Sequence, residues 1–269
     1  MLVLGFDTAT PAVSVALHDG ERVISTASAL DARRHSELLM PMIAKVLADA
    51  GVPRTDLDAV AVGIGPGPYT GLRVGVVTAR VLGSVLGLPV HGVCSLDIIA
   101  LAARGGLNPP PQVAESAGSS PRAMPSRGGL GPPPQAAEPA GSSPRASTAN
   151  PGPEFLVATD ARRQEVYWAR YDAVGRRVAG PQVGRPGSIP GAAELAVAGA
   201  GGPLYPEAFG EVIGPAYPDA GVLCRLVAAS LAPLSPGPSP GHPPLLAADP
   251  LYLRRPDARV PGPPKRVTA

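Results

Sequence analysis

Aromatic side chains make up only 4% of this 269-residue chain, and lysine is almost missing: of 23 basic residues only Lys45 and Lys265 are lysines. Neither lysine follows a glycine, which excludes a Walker-type phosphate loop. The four histidines, His18, His35, His91 and His242, are nowhere three or four residues apart, so no helix can present a zinc- or iron-binding pair. Cys94 and Cys224 have no CxxC partner and no metal-ligand spacing, and read as small buried residues. The chain has no G-x-S-x-G, which leaves an α/β-hydrolase nucleophile unsupported. No apolar run reaches the roughly 18 residues of a membrane span, and the start Met1-Leu2-Val3-Leu4-Gly5-Phe6-Asp7 lacks the basic residues of a signal peptide. The expectation is a cytoplasmic protein with no membrane partner, long enough for one large domain or two small ones.

What is present reads as alternating strands and helices. Residues 2–6 form an apolar run ending at Asp7-Thr8, and residues 12–17 alternate around Val13, Val15 and Leu17 before the turn Asp19-Gly20, a hairpin followed by a third strand at 22–27. A carboxylate and a hydroxyl in that first bend either orient a water, a metal or a phosphate, or simply hold the turn. Leu38, Leu39, Met42, Ile43, Val46 and Leu47 predict a helix over 36–50, stopped by Gly51 and Pro53. A strand at 59–62 then feeds the turn Gly63-Ile64-Gly65-Pro66-Gly67-Pro68-Tyr69-Thr70, which opens into a helix capped by Thr70 and ended by Gly87. A strand at 89–93 and a helix from Ser95, capped by its hydroxyl, complete a compact α/β unit.

The helix after the glycine turn carries two stripes. Gly71, Gly75, Ala79 and Gly83 recur every fourth residue and leave one side nearly bare. Each helical glycine costs about 1 kcal/mol relative to alanine, so a close contact should offset them, either with another helix or with the chain's own sheet. Val74, Val77, Val81 and Val85 form the second stripe, which reads as the face toward a core.

The pattern then stops. Residues 104–123, RGGLNPPPQVAESAGSSPRA, recur at 127–146 with three differences, and neither copy has an apolar face that stacking could bury. This composition cannot offset the entropy of ordering, so 104–153 is predicted to be a disordered insert. Strands resume at 155–160 and 165–171 around Ala161-Arg162-Arg163, with a third near 176–182, a short run at 195–197, a glycine-rich loop at 199–202 and a helix at 220–231. The second half reads as a looser copy of the first, with Asp160 echoing Asp7.

The formal net charge is +2, of which residues 253–269 carry +4 and residues 104–150 carry +2, leaving −4 on the rest. A net acidic body is not an obvious RNA-binding surface. The tail residues Arg254, Arg255, Arg259, Lys265 and Arg266 either add phosphate contacts or are simply solvated.

Asp7-Thr8-Ala9-Thr10, the run GIGPGPYTGLRVGV at 63–76, Asp160-Ala161-Arg162-Arg163-Gln164-Glu165-Val166-Tyr167 and Pro250-Leu251-Tyr252-Leu253-Arg254 together resemble the bacterial TsaB family, also called YeaZ. The resemblance implies a two-lobed, actin-like (ASKHA, ribonuclease H-like) α/β fold. Its divisions would be a first lobe at 1–103, the insert at 104–153, a second lobe at 154–252 and a flexible basic tail at 253–269. It also implies a non-catalytic subunit of the complex that places threonylcarbamoyl on N6 of adenosine 37 in tRNAs reading ANN codons. The implied partners are a TsaD-like catalytic subunit, a TsaE-like ATPase, tRNA through the complex, and a second copy of the chain. The chain itself would carry no cofactor; ATP and a metal would belong to the other subunits. Asp7, Thr8 and Asp160 would be vestigial phosphate-loop positions. The partner interface is expected at Leu39, Met40, Ile43 and Leu47 of one helix and Gly71, Gly75, Ala79 and Gly83 of the other. An ASKHA kinase or ATPase is the alternative, with a metallopeptidase behind it. A kinase needs glycine loops after both aspartates, and here Thr8-Ala9-Thr10 has none and Arg162 stands where the second loop would place one.

Overall fold

The computed structural model describes residues 1–105, 154–232 and 243–254. The expected disorder of the duplicated stretch and flexibility of the tail fall on residues that lie almost wholly outside these.

The first sheet starts as an antiparallel meander, β1 (Val3–Asp7), β2 (Ala12–His18) and β3 (Val23–Leu30). Helix α1 (His35–Asp49) leads to β4 (Ala59–Gly63), and α2 (Tyr69–Leu86) leads to β5 (Val90–Val93) and α3 (Ser95–Arg104). The strand order is β3-β2-β1-β4-β5, with β1, β4 and β5 parallel. The second sheet repeats the plan with β6 (Glu154–Asp160), β7 (Val166–Asp172), β8 (Arg177–Gly184) and β9 (Ala196–Ala198) in the order β8-β7-β6-β9. Where the first sheet uses α1 as a crossover, the second has a 3-10 turn at Pro186–Ser188, and α4 (Gly201–Leu204) is one turn long.

Alternation along the strands explains two layers of core. Leu4, Phe6, Val15 and Leu17 point to the side covered by Leu39, Ile43 and Val46 of α1 and by Leu72 and Val76 of α2. Val3, Ala16 and Ala61 point to the other side, which is covered by α5 (Ala220–Leu231) through Leu223, Cys224, Leu226 and Val227. Helix α5 was expected in the second lobe, yet it packs on the first sheet. Small groups let it approach: a side chain at Gly5 would collide with the Cys224 sulfur. Burial pushes the Cys94 thiol up to about 12 and Cys224 higher still, so both are inert space-fillers.

Helix α3 joins the lobes. Its Leu96, Ile99 and Ala100 pack with Phe155, Val157, Tyr171 and Ile213 of the second lobe. Within this contact the Tyr171 hydroxyl donates to Asp97 Oδ1 at 2.7 Å, and Arg177 Nη1 lies 3.3 Å from the same oxygen. Two capping expectations are corrected. Helix α2 begins at Tyr69 and α3 at Ser95, with Pro68 and Cys94 as their N-caps and no side-chain capping bond, so Thr70 and Ser95 lie inside the first turn. Asp219 does cap α5, accepting from the N–H groups of Gly221 and Val222.

Candidate functional site

The glycine turn and α2 close around the loop that follows β1. A side chain at Gly63 would occupy the Asp7 carboxylate, and one at Gly67 would strike the Ala9 carbonyl. Added carbons at Gly71 and Gly75 would stand 2.7 Å from the Thr8 carbonyl oxygen and 2.5 Å from Thr8 Oγ1. The Thr8 hydroxyl donates to the Gly71 carbonyl at 2.8 Å and accepts from the Gly75 N–H at 3.0 Å. Four glycines spaced by four residues, at the end of β4, in the turn and on α2, therefore let residues 7–9 lie directly against all three.

Asp7 is enclosed in this packing at 1% exposure. Its Oδ1 accepts from the Ala9 N–H at 2.7 Å and its Oδ2 from the Ser95 hydroxyl at 2.5 Å, while Ser95 Oγ in turn accepts from the Gly65 N–H. Burial pushes the Asp7 carboxyl above the usual carboxylate range, and the Ser95 and Ala9 hydrogen bonds offset only part of that. Asp160 sits elsewhere, on a cleft of about 380 Å³ shared with Thr10, Thr159 and Tyr217, and it accepts from the Arg162 N–H at 2.7 Å. Asp7 is thus enclosed, whereas Asp160 lines a cleft. Asp7 and Thr8 spend their hydrogen bonds on the chain's own turn and helix. Among the described residues, no group of three His, Cys, Asp or Glu side chains could hold a metal ion.

The stripes on α2 are reversed relative to expectation. Gly71, Gly75, Ala79 and Gly83 are buried, the last against Val90, so the bare side faces the chain's own loop and sheet. Val77, Val81 and Val85 are 48%, 55% and 75% exposed. On α1, Leu39 and Ile43 belong to the core, Leu47 is half-buried, and Met40 is exposed. Of the eight residues expected at a partner interface, only Met40 and Leu47 retain accessible surface. The apolar side chains that α1 and α2 expose include Met40 and Pro41 on the one and Val77, Val81 and Val85 on the other, with Leu47 and Val74 half-buried.

A second cluster went unread in the sequence. The segment 243–254 runs from the first sheet to the tip of the β6–β7 hairpin. Leu246 bridges Gly92, Asp249 pairs with Arg80 at 2.6 Å, and the Leu251 N–H donates to the Ile64 carbonyl at 2.8 Å. Tyr252 stacks on Tyr69 with ring centroids 5.2 Å apart, and Arg254 donates to the Ala161 carbonyl at 2.9 Å and pairs with Glu165. This brings Tyr69, Tyr167, Tyr252, Arg162, Arg163 and Arg254 around a cleft of about 180 Å³. The available signal was scarcity, since few aromatics exist and three of these tyrosines fall in the quoted motifs.

The profile of the family described as TsaD, tRNA N6-adenosine threonylcarbamoyltransferase, matches residues 27–120. An uncharacterized protein of Mycobacterium leprae, ML0378, is 38% identical over 264 residues, covering 96% of this chain and 56% of that protein. The tRNA threonylcarbamoyladenosine biosynthesis protein TsaB of Escherichia coli is 31% identical over 172 residues, covering 64% of this chain and 55% of its own length. The chain thus spans little more than half of either relative. The structure of YeaZ from Pseudomonas aeruginosa superposes with a TM-score of 0.63 at 25% identity, over 93% of this chain and 99% of that one. The chain belongs to the TsaB/YeaZ family. Its fold is accordingly the two-lobed actin-like α/β fold, in which each sheet opens with the same three-stranded meander. In this TsaB/YeaZ chain the buried Asp7 and the glycine turn are packed against one another.

Proposed function

We propose that this chain is a non-catalytic subunit in tRNA threonylcarbamoyladenosine biosynthesis, working in the cytoplasm beside a TsaD-like catalytic subunit that transfers threonylcarbamoyl to N6 of adenosine 37. The name of the E. coli relative supports the process. The observation that carries the scaffold role is the exposed valine row on α2, together with Met40 exposed and Leu47 half-buried on α1. A row of large apolar side chains left exposed on a helix marks an association surface. The TsaD profile matches the stretch that contains both helices, so a TsaD-like lobe would offer a related helix pair, and two related pairs can dock about a pseudo-two-fold axis. Two copies of this chain would use the same face when the partner is absent.

In this reading ATP and metal are handled by the TsaD-like subunit and a TsaE-like ATPase, tRNA is met by the assembly, and this chain needs no cofactor of its own. The interface moves from the small-residue stripe to the valines. Titration calorimetry of the Val81→Asp variant against a TsaD-like chain should show association weakened by about 2 kcal/mol or more, on the scale of an interface hot spot, with the free chain's melting unchanged. Normal association of that variant would remove the proposal's support.

A further inference from the structure

We infer that the segment 243–254 is a strap that latches the two lobes together, with Arg254 as its catch on the β6–β7 tip, and that releasing this one residue lets the second lobe swing about α3. The strap belongs mechanically to the first lobe. Leu246 and Gly92 exchange backbone bonds of 2.8 and 2.7 Å, and Ala248, 7% exposed, is buried in the core that α1 and α2 cover. Asp249 holds Arg80, the Leu251 N–H holds the Ile64 carbonyl, and Tyr252 lies on Tyr69. Arg254 follows two positions later, so its backbone is tethered to the first lobe while its side chain meets the second.

That side chain grips the β6–β7 turn at both ends. It donates to the Ala161 carbonyl and pairs with Glu165, and these two residues bracket Arg162, Arg163 and Gln164, whose φ of 63°, 57° and 60° are left-handed. Left-handed backbone at residues other than glycine persists where surrounding structure enforces it. Within the hairpin the Ala161 N–H donates to the Glu165 carbonyl at 2.9 Å and the Arg162 N–H to Asp160 at 2.7 Å. Arg254 adds a restraint that comes from the other lobe.

The apolar root of the interlobe contact lies at the opposite end of the same strands. Helix α3 packs with Phe155 and Val157 at the start of β6 and with Tyr171 near the end of β7, where Asp97 also meets Tyr171 and Arg177. Ala161 lies four to six positions further along, roughly 13–20 Å at the rise of a strand. Packed helices allow small sliding movements, so a polar catch at that distance sets the angle between the lobes. The cleft that carries Asp160 has Thr10 and Pro11 of the first lobe on one wall and Thr159, Asp160, Ala200 and Leu204 of the second on the other. Its width therefore follows the latch.

The test is double electron–electron resonance on the full chain, with spin labels at Val85→Cys on α2 and Glu207→Cys in the second lobe. Both positions are exposed, and the native Cys94 and Cys224 are buried. The parent should give one narrow distance. Arg254→Ala should add a second distance in more than about a tenth of the molecules, above the usual range of a minor state. Glu165→Gln, which keeps the Ala161 bond, should add less, and Asp249→Ala, which breaks the exposed pair with Arg80, should leave the parent's distance alone. Hydrogen exchange separates a swing from unfolding: at 161–165 it should quicken about tenfold in Arg254→Ala, with α3 as protected as in the parent. An unchanged distance in Arg254→Ala overturns the inference. So does a second distance accompanied by lost protection in α3, because the root would then have unfolded, or an equal response to Asp249→Ala, because the catch would then not be Arg254.

Discussion

The two faces of α2 differ in a way that inverts the usual rule for reading a helix. Its nearly bare face, Gly71, Gly75, Ala79 and Gly83, is buried, while the opposite face carries valines and stands in solvent. Small residues every fourth position report how close a neighbour comes, and here the neighbours belong to the same chain, Thr8 at Gly71 and Gly75 and Val90 at Gly83. The valines are in excess of what the core uses, and the proposed partner face rests on that surplus.

The harshest way to break this comparison is Gly75→Leu. A leucine must displace Thr8, whose hydroxyl is bonded to both Gly71 and Gly75. The loss should exceed about 4 kcal/mol, in the range reserved for overpacking combined with a broken buried network, and urea unfolding should show it. A variant that kept its stability would return the bare face to the partner. On α1 the same contrast is sharpened by paired truncations. Leu39→Ala should cost about 2–5 kcal/mol as a core cavity, and Met40→Ala should stay within about 0.5 kcal/mol in the free chain.

A smaller effect tests the enclosure of Asp7. Its folded-state pKa is raised by burial, and Asp97 is raised for the same first reason, with Arg177 and Tyr171 offsetting part. A raised carboxyl favours the protonated native state. Its contribution to stability is therefore full below the unfolded pKa of about 3.9 and is lost as pH rises through the higher folded value. Asp7→Asn cannot ionise, so its stability relative to the parent should climb as pH is raised from 4 toward 8. A flat difference across that range would show that Asp7 titrates alike in both states. The smallest effect is on folding by Val81→Asp, expected within about 0.5 kcal/mol; unfolding by this substitution would place the valine row in a core.

The strands and helices were legible because their periods are local: β1 to β8 and α1, α2, α3 and α5 appear within a few residues of the pattern. Side-chain partners far along the chain were not. Ser95 looked like a cap, but its hydroxyl was recruited by Asp7, which lies 88 positions away. Both α2 stripes had helical spacing, and only the volume of the loop beside them decided which was inside. Helix α5 follows the second sheet in sequence, and nothing in its pattern says that Gly5 has left room for it on the first. The Tyr69–Tyr252 stack joins two unremarkable tyrosines across the chain, so the cleft existed in the motifs only as separate pieces.

The contact between Leu246 and Gly92 has a consequence for how copies of this protein can meet. β5 is the last strand of the first sheet, and an unpaired outer strand invites edge-to-edge association. Gly92 and Leu246 exchange N–H to carbonyl bonds of 2.7 and 2.8 Å, and a side chain at Gly92 would stand 2.6 Å from the Ala247 carbonyl. The glycine lets the returning chain seal that border with backbone. The first lobe is thereby closed to sheet extension at this point of its border.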